Sequence, residues 1–170
     1  MFRIISKFIL IYLLKWKIIG EFPNLDKFVI AVIPHTSNYD FILCVMIRSI
    51  LREEINFVGK RELFNPLTSW FFKNLGGLPI DRSKKLNSVD SIVSIFKKRI
   101  FFRLAIAPEG TRKKVEKWKT GFYFISKGAK VPILITLIDY KKRKIVFRKL
   151  FYPTNNQIED FEIIKKLTKG

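Results

Sequence analysis

The hexad His35-Thr36-Ser37-Asn38-Tyr39-Asp40 contains the single histidine of a 170-residue chain, directly after the apolar run Phe28–Ile33 and Pro34. An imidazole can take a proton from a hydroxyl near neutral pH. A carboxylate on its other ring nitrogen fixes the tautomer and stabilises the imidazolium. His35 and Asp40 therefore have the makings of a general base and its orienting carboxylate. On an ideal helix, positions five apart point about 140° away from each other. The pair works only if His35 lies in the loop and Asp40 in the first turn of the next helix, a geometry that the capping types Thr36, Ser37 and Asn38 favour. Spacing alone equally allows a capped histidine where a strand happens to end.

Two more polar clusters come after apolar segments: Asp81-Arg82, and Glu109-Gly110-Thr111-Arg112. Arg82 and Arg112 offer planar, always-charged forks suited to phosphate oxygens. Their alternative is an ion pair with the neighbouring Asp81 or Glu109. No Gly-x-Ser-x-Gly elbow is present, and Cys44, the single cysteine, stands in the apolar run Phe41–Ile47, where a small buried residue is expected. Direct transfer to a hydroxyl activated by His35 is thus favoured over a covalent intermediate. No Cys/His cluster suits zinc, and no metal is expected.

The elements that must carry these groups read as alternating strands and helices. Apolar runs predict strands at 28–33, 56–59, 100–107, 131–137 and 145–147. Helical patterns cover 40–51, 62–75 (opening near Pro66), 88–99, 119–128 and 156–167. This is an α/β pattern: one domain with a mostly parallel or mixed central sheet flanked by helices. In open sheets of this class, ligands collect beyond the carboxyl ends of the strands, so the three polar clusters are expected to converge there.

Residues 2–19 are apolar but carry Arg3, Lys7, Lys15 and Lys17, and their longest unbroken apolar run, Phe8–Leu14, is far short of the roughly 20 residues of a spanning helix. The expectation is a membrane-interface helix over residues 1–20, with lysines on anionic lipid and Trp16 at the boundary, and then a catalytic domain over 21–170. A terminal helix packed on the domain's own core, or a single span, are the alternatives. Gly20-Glu21-Phe22-Pro23 supplies no small-residue cleavage site. The chain has 33 Lys+Arg against 14 Asp+Glu, a net charge of +19, which favours an anionic partner. A nucleic-acid-binding module would use that charge with stacking phenylalanines, but the aromatics fall mostly within apolar runs such as Trp70-Phe71-Phe72, where core residues belong.

In this order, the clusters resemble the glycerolipid acyltransferase family that includes 1-acyl-glycerol-3-phosphate acyltransferases. The first block is His35-x4-Asp40. The second is Phe57-Val58-Gly59-Lys60-Arg61-Glu62-Leu63-Phe64-Asn65-Pro66, continuing to Gly76–Arg82. Pro108-Glu109-Gly110-Thr111-Arg112 is the third, and Val131-Pro132-Ile133 resembles the fourth. The resemblance spans about 28–138 and implies a glycerol-3-phosphate acyltransferase-like fold. It also implies transfer of a fatty acyl group from an acyl thioester, on coenzyme A or acyl carrier protein, to a hydroxyl of a lysophospholipid or glycerol-based acceptor. His35 would deprotonate that hydroxyl while Asp40 orients the ring. Arg82, Glu109, Gly110, Thr111 and Arg112 would serve acceptor binding, with Lys60 assisting. No cofactor beyond the acyl-CoA or acyl-ACP co-substrate is implied, and the setting is the cytoplasmic face of the cell membrane. Pro34, Ala107 and Lys113 depart from residues frequent in the family, and Lys117–Tyr123 with Ile138-Asp139-Tyr140 resembles a short bacterial branch.

Overall fold

A computed structural model of the chain describes residues 2–34, 37, 39–80, 85–110 and 118–169. One seven-stranded sheet organises them, in the order β1-β7-β6-β2-β5-β3-β4. Its strands are β1 (Lys17–Ile19), β2 (Lys27–Ile33), β3 (Asn56–Lys60), β4 (Gly77–Ile80), β5 (Phe102–Ile106), β6 (Ile133–Asp139) and β7 (Lys144–Phe151). All neighbouring pairs are parallel except β6 with β7. The expected mixed α/β architecture is therefore the one observed.

Strand β2 shows why the centre of the sheet is mainly apolar. Val29, Ala31 and Ile33 face one core with Ile92, Phe96, Phe122 and Ile164, which come from α4 (Lys85–Lys98), α5 (Gly121–Ala129) and α6 (Gln157–Thr168). Phe28, Ile30 and Val32 face a second core with Leu10, Trp16, Leu43 and Ile47. A strand covered on both faces has no position for a solvated side chain, hence the unbroken run. At one edge of the sheet, β4 contains Pro79, a residue that edge strands tolerate because its missing N–H interrupts no inner ladder.

The N-terminal segment departs from the expected single helix over 1–20. Helix α1 (Phe2–Lys7) continues as a π-helical turn over Phe8–Leu13 and then stops. Lys15 adopts a left-handed backbone, φ 55°, and the Trp16 N–H returns to the Leu10 carbonyl at 2.9 Å. The chain then enters β1, paired with β7. Trp16, expected at a membrane boundary, is instead buried in the second core, where its ring meets Tyr140 edge-on at 5.3 Å. Among the described residues no helix is long and apolar enough to cross a membrane.

The helix expected over 62–75 also divides. A 3-10 turn (Arg61–Phe64) precedes α3 (Ser69–Asn74), which begins three residues beyond Pro66. Asn65 caps the turn at Pro66: its side-chain oxygen accepts from the N–H groups of Leu67 and Thr68, each at 3.0 Å, and its carbonyl accepts from the Ser69 N–H at 2.9 Å.

Candidate active site

Strands β2 to β6 all run in one direction, so their carboxyl ends share one edge of the sheet. Register makes this concrete. Ile33 on β2 lies level with Leu137 on β6, and Lys60 on β3 lies level with Ile80 on β4. Each of four strand ends leads into residues singled out by their chemistry: the 35–40 segment after β2, Lys60 at the end of β3, Asp81-Arg82 after β4, and Glu109-Gly110 after β5. Of the expected site residues, His35, Arg82, Thr111 and Arg112 lie outside the described residues. Asp40, Lys60, Glu109 and Gly110 lie within them.

Asp40 occupies the first turn of α2 (Tyr39–Leu51), the placement its expected role required, and is 1% exposed. Local chemistry explains the helix start. The Ser37 hydroxyl accepts from the Tyr39 N–H at 3.1 Å, and the Ser37 N–H donates to Asp40 Oδ2 at 2.9 Å. This reciprocal exchange is a capping box, with an aspartate in the place usual for glutamate. The cap thereby fixes one carboxylate oxygen. The Tyr140 hydroxyl, at the turn leaving β6, donates to the other oxygen, Oδ1. Burial first, and then this hydrogen bond and the charge of Asp40, hold the Tyr140 phenol well above the usual tyrosine range. It therefore remains a donor throughout the neutral range.

Cys44, one turn further along α2, is no nucleophile. Burial, with the charge of Asp40 adding to it, pushes its thiol up to about 12. Lys60 is exposed at the end of β3, and Glu109, in the turn after β5, is buried. Gly110 has φ +61°, a backbone that glycine adopts without strain, and its N–H closes a turn on the Ala107 carbonyl at 3.1 Å. A Cβ added there would fall 2.5 Å from Cδ of Lys119, so the lysine stem lies across the loop. The Lys119 N–H also ties that segment to the Pro108 carbonyl at 2.7 Å.

Two apolar voids adjoin the site. A narrow cavity of about 80 Å³ runs between α2 and the sheet, past Cys44, Ile47, Ile30, Val32 and Ile138. Two buried polar atoms at its wall, Thr136 Oγ1 and Asn56 Oδ1, have no hydrogen-bond partner among the described residues. A second, outer groove of about 250 Å³ lies between α1 with its π-helical turn, α2 and α3.

Sequence reasoning did not assign Tyr140 to Asp40, Lys119 to the Gly110 loop, or either void. Tyr140 and Lys119 stand in segments already noted for their likeness to a bacterial branch, which is the one signal that marked them. The arrangement is a buried, doubly anchored carboxylate at the carboxyl ends of the strands, with apolar space beside it. Such a site can orient a base and shelter a hydrocarbon chain.

The family model described as Acyltransferase matches residues 17–138. None of the curated proteins matches the chain. Among solved structures, the crystal structure of the 1-acyl-sn-glycerophosphate (LPA) acyltransferase PlsC from Thermotoga maritima is similar, with a TM-score of 0.69 at 17% identity. The match covers 99% of this chain and 75% of that one. At that identity the likeness is one of fold.

Proposed function

The chain belongs to the acyltransferase family, and from that premise we propose that it moves a fatty acyl group from acyl-CoA or acyl-ACP to a hydroxyl of a lysophospholipid or other glycerol-based acceptor. The acceptor favoured is 1-acyl-glycerol-3-phosphate. The observation that carries the reading is the Asp40 carboxylate, buried and held on both oxygens at the carboxyl edge of the sheet. A carboxylate so fixed suits the orientation of an imidazole, which is the role proposed for it toward His35.

In the proposed mechanism, His35 takes the acceptor hydroxyl proton as the oxygen attacks the thioester carbonyl. The tetrahedral intermediate collapses, the C–S bond breaks, and the imidazolium returns the proton to the leaving thiolate. Arg82 and Arg112 bind the acceptor phosphate, with Lys60 assisting. Glu109 keeps the loop in shape, and Gly110 and Thr111 bring its backbone close. No cofactor is used beyond the thioester co-substrate.

The protein works at the cytoplasmic face of the cell membrane, peripheral or monotopic. What supports this is the exposed apolar face of its N-terminal segment, with Phe2, Ile4, Phe8, Tyr12 and Leu13 all outward, alongside the +19 charge. A stacking role for the aromatics in nucleic-acid binding is disfavoured, since Phe28, Phe96, Phe102 and Phe122 are core residues.

The test is an acyl-transfer assay over a panel of lysophospholipid and glycerol acceptors with both thioester donors, run on the wild type and His35→Ala. Transfer by the wild type and none by a folded His35→Ala protein is expected. Undiminished turnover by the variant would remove His35 from the mechanism.

A further inference from the structure

We propose that the outer groove between α1, α2 and α3 holds the acyl chain that the acceptor already carries. This inference rests on the acyl-transfer reading and deepens it, because it makes the acceptor a mono-acylated amphiphile with a place of its own for the chain.

Helix α2 divides the two voids. Phe41 and Val45, four residues apart on one stripe of the helix, border both of them. Cys44 and Ile47 face the inner cavity, and Ile42 and Met46 face the groove. Both compartments begin within one turn of Asp40. Acyl transfer to a mono-acylated acceptor brings two hydrocarbon chains together at adjacent atoms. The groove, opening beside the start of α2, gives one of them, the acceptor's own chain, a place next to the reacting end.

The groove has the character of a chain site. Its volume exceeds the roughly 150 Å³ of an apolar cavity that takes up benzene. Every residue lining it is apolar except Ser6. The Ser6 hydroxyl is buried, with the residue 1% exposed, and has no hydrogen-bond partner among the described residues. An ester-linked chain brings one carbonyl oxygen, the acceptor that such a hydroxyl needs. At the rim Phe2, Ile5, Ile42 and Phe71 are 46 to 56% exposed, so the groove opens sideways and an amphiphile can enter it from an apolar phase.

The experiment uses monoacyl glycerol phosphates with chains of six to fourteen carbons, held below micelle formation, and compares the wild type with Ile42→Trp and Ile5→Trp. Both positions are half exposed, so an indole there fills the groove without disturbing the core. The wild-type acceptor KM should fall by up to about fourfold per methylene until the groove is full. The tryptophan variants should lose that dependence and raise KM for the longer chains at least tenfold, leaving the donor KM unchanged. Equal chain dependence in variants and wild type overturns the proposal. So does a uniform loss at every chain length accompanied by weaker vesicle binding, which marks the face as a bilayer contact only. Calorimetric binding of the ten-carbon compound separates this inference from the reading beneath it. Binding by the wild type that Ile42→Trp abolishes supports the groove even if no transfer occurs, whereas absent transfer to every acceptor removes the acyl-transfer reading.

Discussion

The Tyr140 hydroxyl donates to Oδ1 of Asp40 across 100 residues of sequence, while the Ser37 N–H holds Oδ2. The tyrosine is itself seated against the buried Trp16 ring. The carboxylate proposed to orient His35 is thus positioned by the turn after β6 and, through it, by the N-terminal segment.

Tyr140→Phe keeps the ring and removes the donor. Under the proposed mechanism, kcat should fall roughly 10- to 100-fold, the scale of one hydrogen bond to a charged group, with little change in KM. Removing the donor leaves more negative charge on Asp40 to stabilise an imidazolium. The acidic limb of the kcat/KM profile should therefore move to higher pH. A simple loss of stability would lower kcat without moving the limb, so the pH profile distinguishes positioning from folding.

Arg112→Ala should weaken a phosphorylated acceptor more than the acyl donor, because the guanidinium is proposed to hold the phosphate. The measurement is KM for phosphorylated and unphosphorylated acceptors at saturating donor. Equal losses would argue against a phosphate contact.

Cys44 should be silent. With its thiol pushed up to about 12, almost no thiolate exists at pH 8, and iodoacetamide should label the native chain far more slowly than the unfolded one. Cys44→Ala should retain acyl transfer within a few-fold. Rapid native labelling with loss of activity would reopen a covalent route.

The docking of α6 depends on Asp160, which is 1% exposed. It accepts from the Thr154 N–H at 2.6 Å and from the hydroxyls of Thr154 and Tyr123, each at 2.8 Å. Burial alone would raise its pKa, but these bonds outweigh burial and hold it below the ordinary value. Its contribution to stability is whole above about pH 4 and is lost as pH falls through the depressed value. Tyr123 behaves in the opposite sense. Burial, then its bond to Asp160, lifts it from 10.0 to about 12, so its contribution is whole below pH 10 and is lost as pH rises through about 12. Asp160→Asn should cost about 2–4 kcal/mol in urea unfolding at pH 7 and should flatten the acid side of the stability profile.

Much of the frame was legible because its signals are local. The runs 28–33, 100–107 and 131–137 became β2, β5 and β6, whose residues are mostly apolar on both faces because both faces pack into core clusters. Asp40 could be placed in a first helical turn because Ser37 and its neighbours are capping types. Strand β1 was not legible, since Lys17-Ile18-Ile19 continues a helix-like apolar pattern and its strand character comes from β7, more than a hundred residues away. The bond from Tyr140 to Asp40 was hidden for the same reason. No spacing rule joins residues that only the assembled sheet brings together. The helix expected over 62–75 was legible only in part: Asn65 caps a turn at Pro66 as a helix start would, but a separate 3-10 turn precedes it and α3 begins only at Ser69.

The pairing of Lys17–Ile19 with Lys144–Val146 has a consequence for how this protein can be handled. Strand β7 would be the outermost strand at that side of the sheet without β1, and Ile145 and Phe147 are among its buried residues. Trimming the chain before Gly20 to obtain a form without its apolar N-terminus would bare a row of unpaired backbone donors and acceptors. Such a row recruits strands from other copies, and the trimmed protein would assemble into aggregates through β7. Inactivity in such a truncation would report a sheet left open at its side, and would say nothing about whether the segment touches lipid.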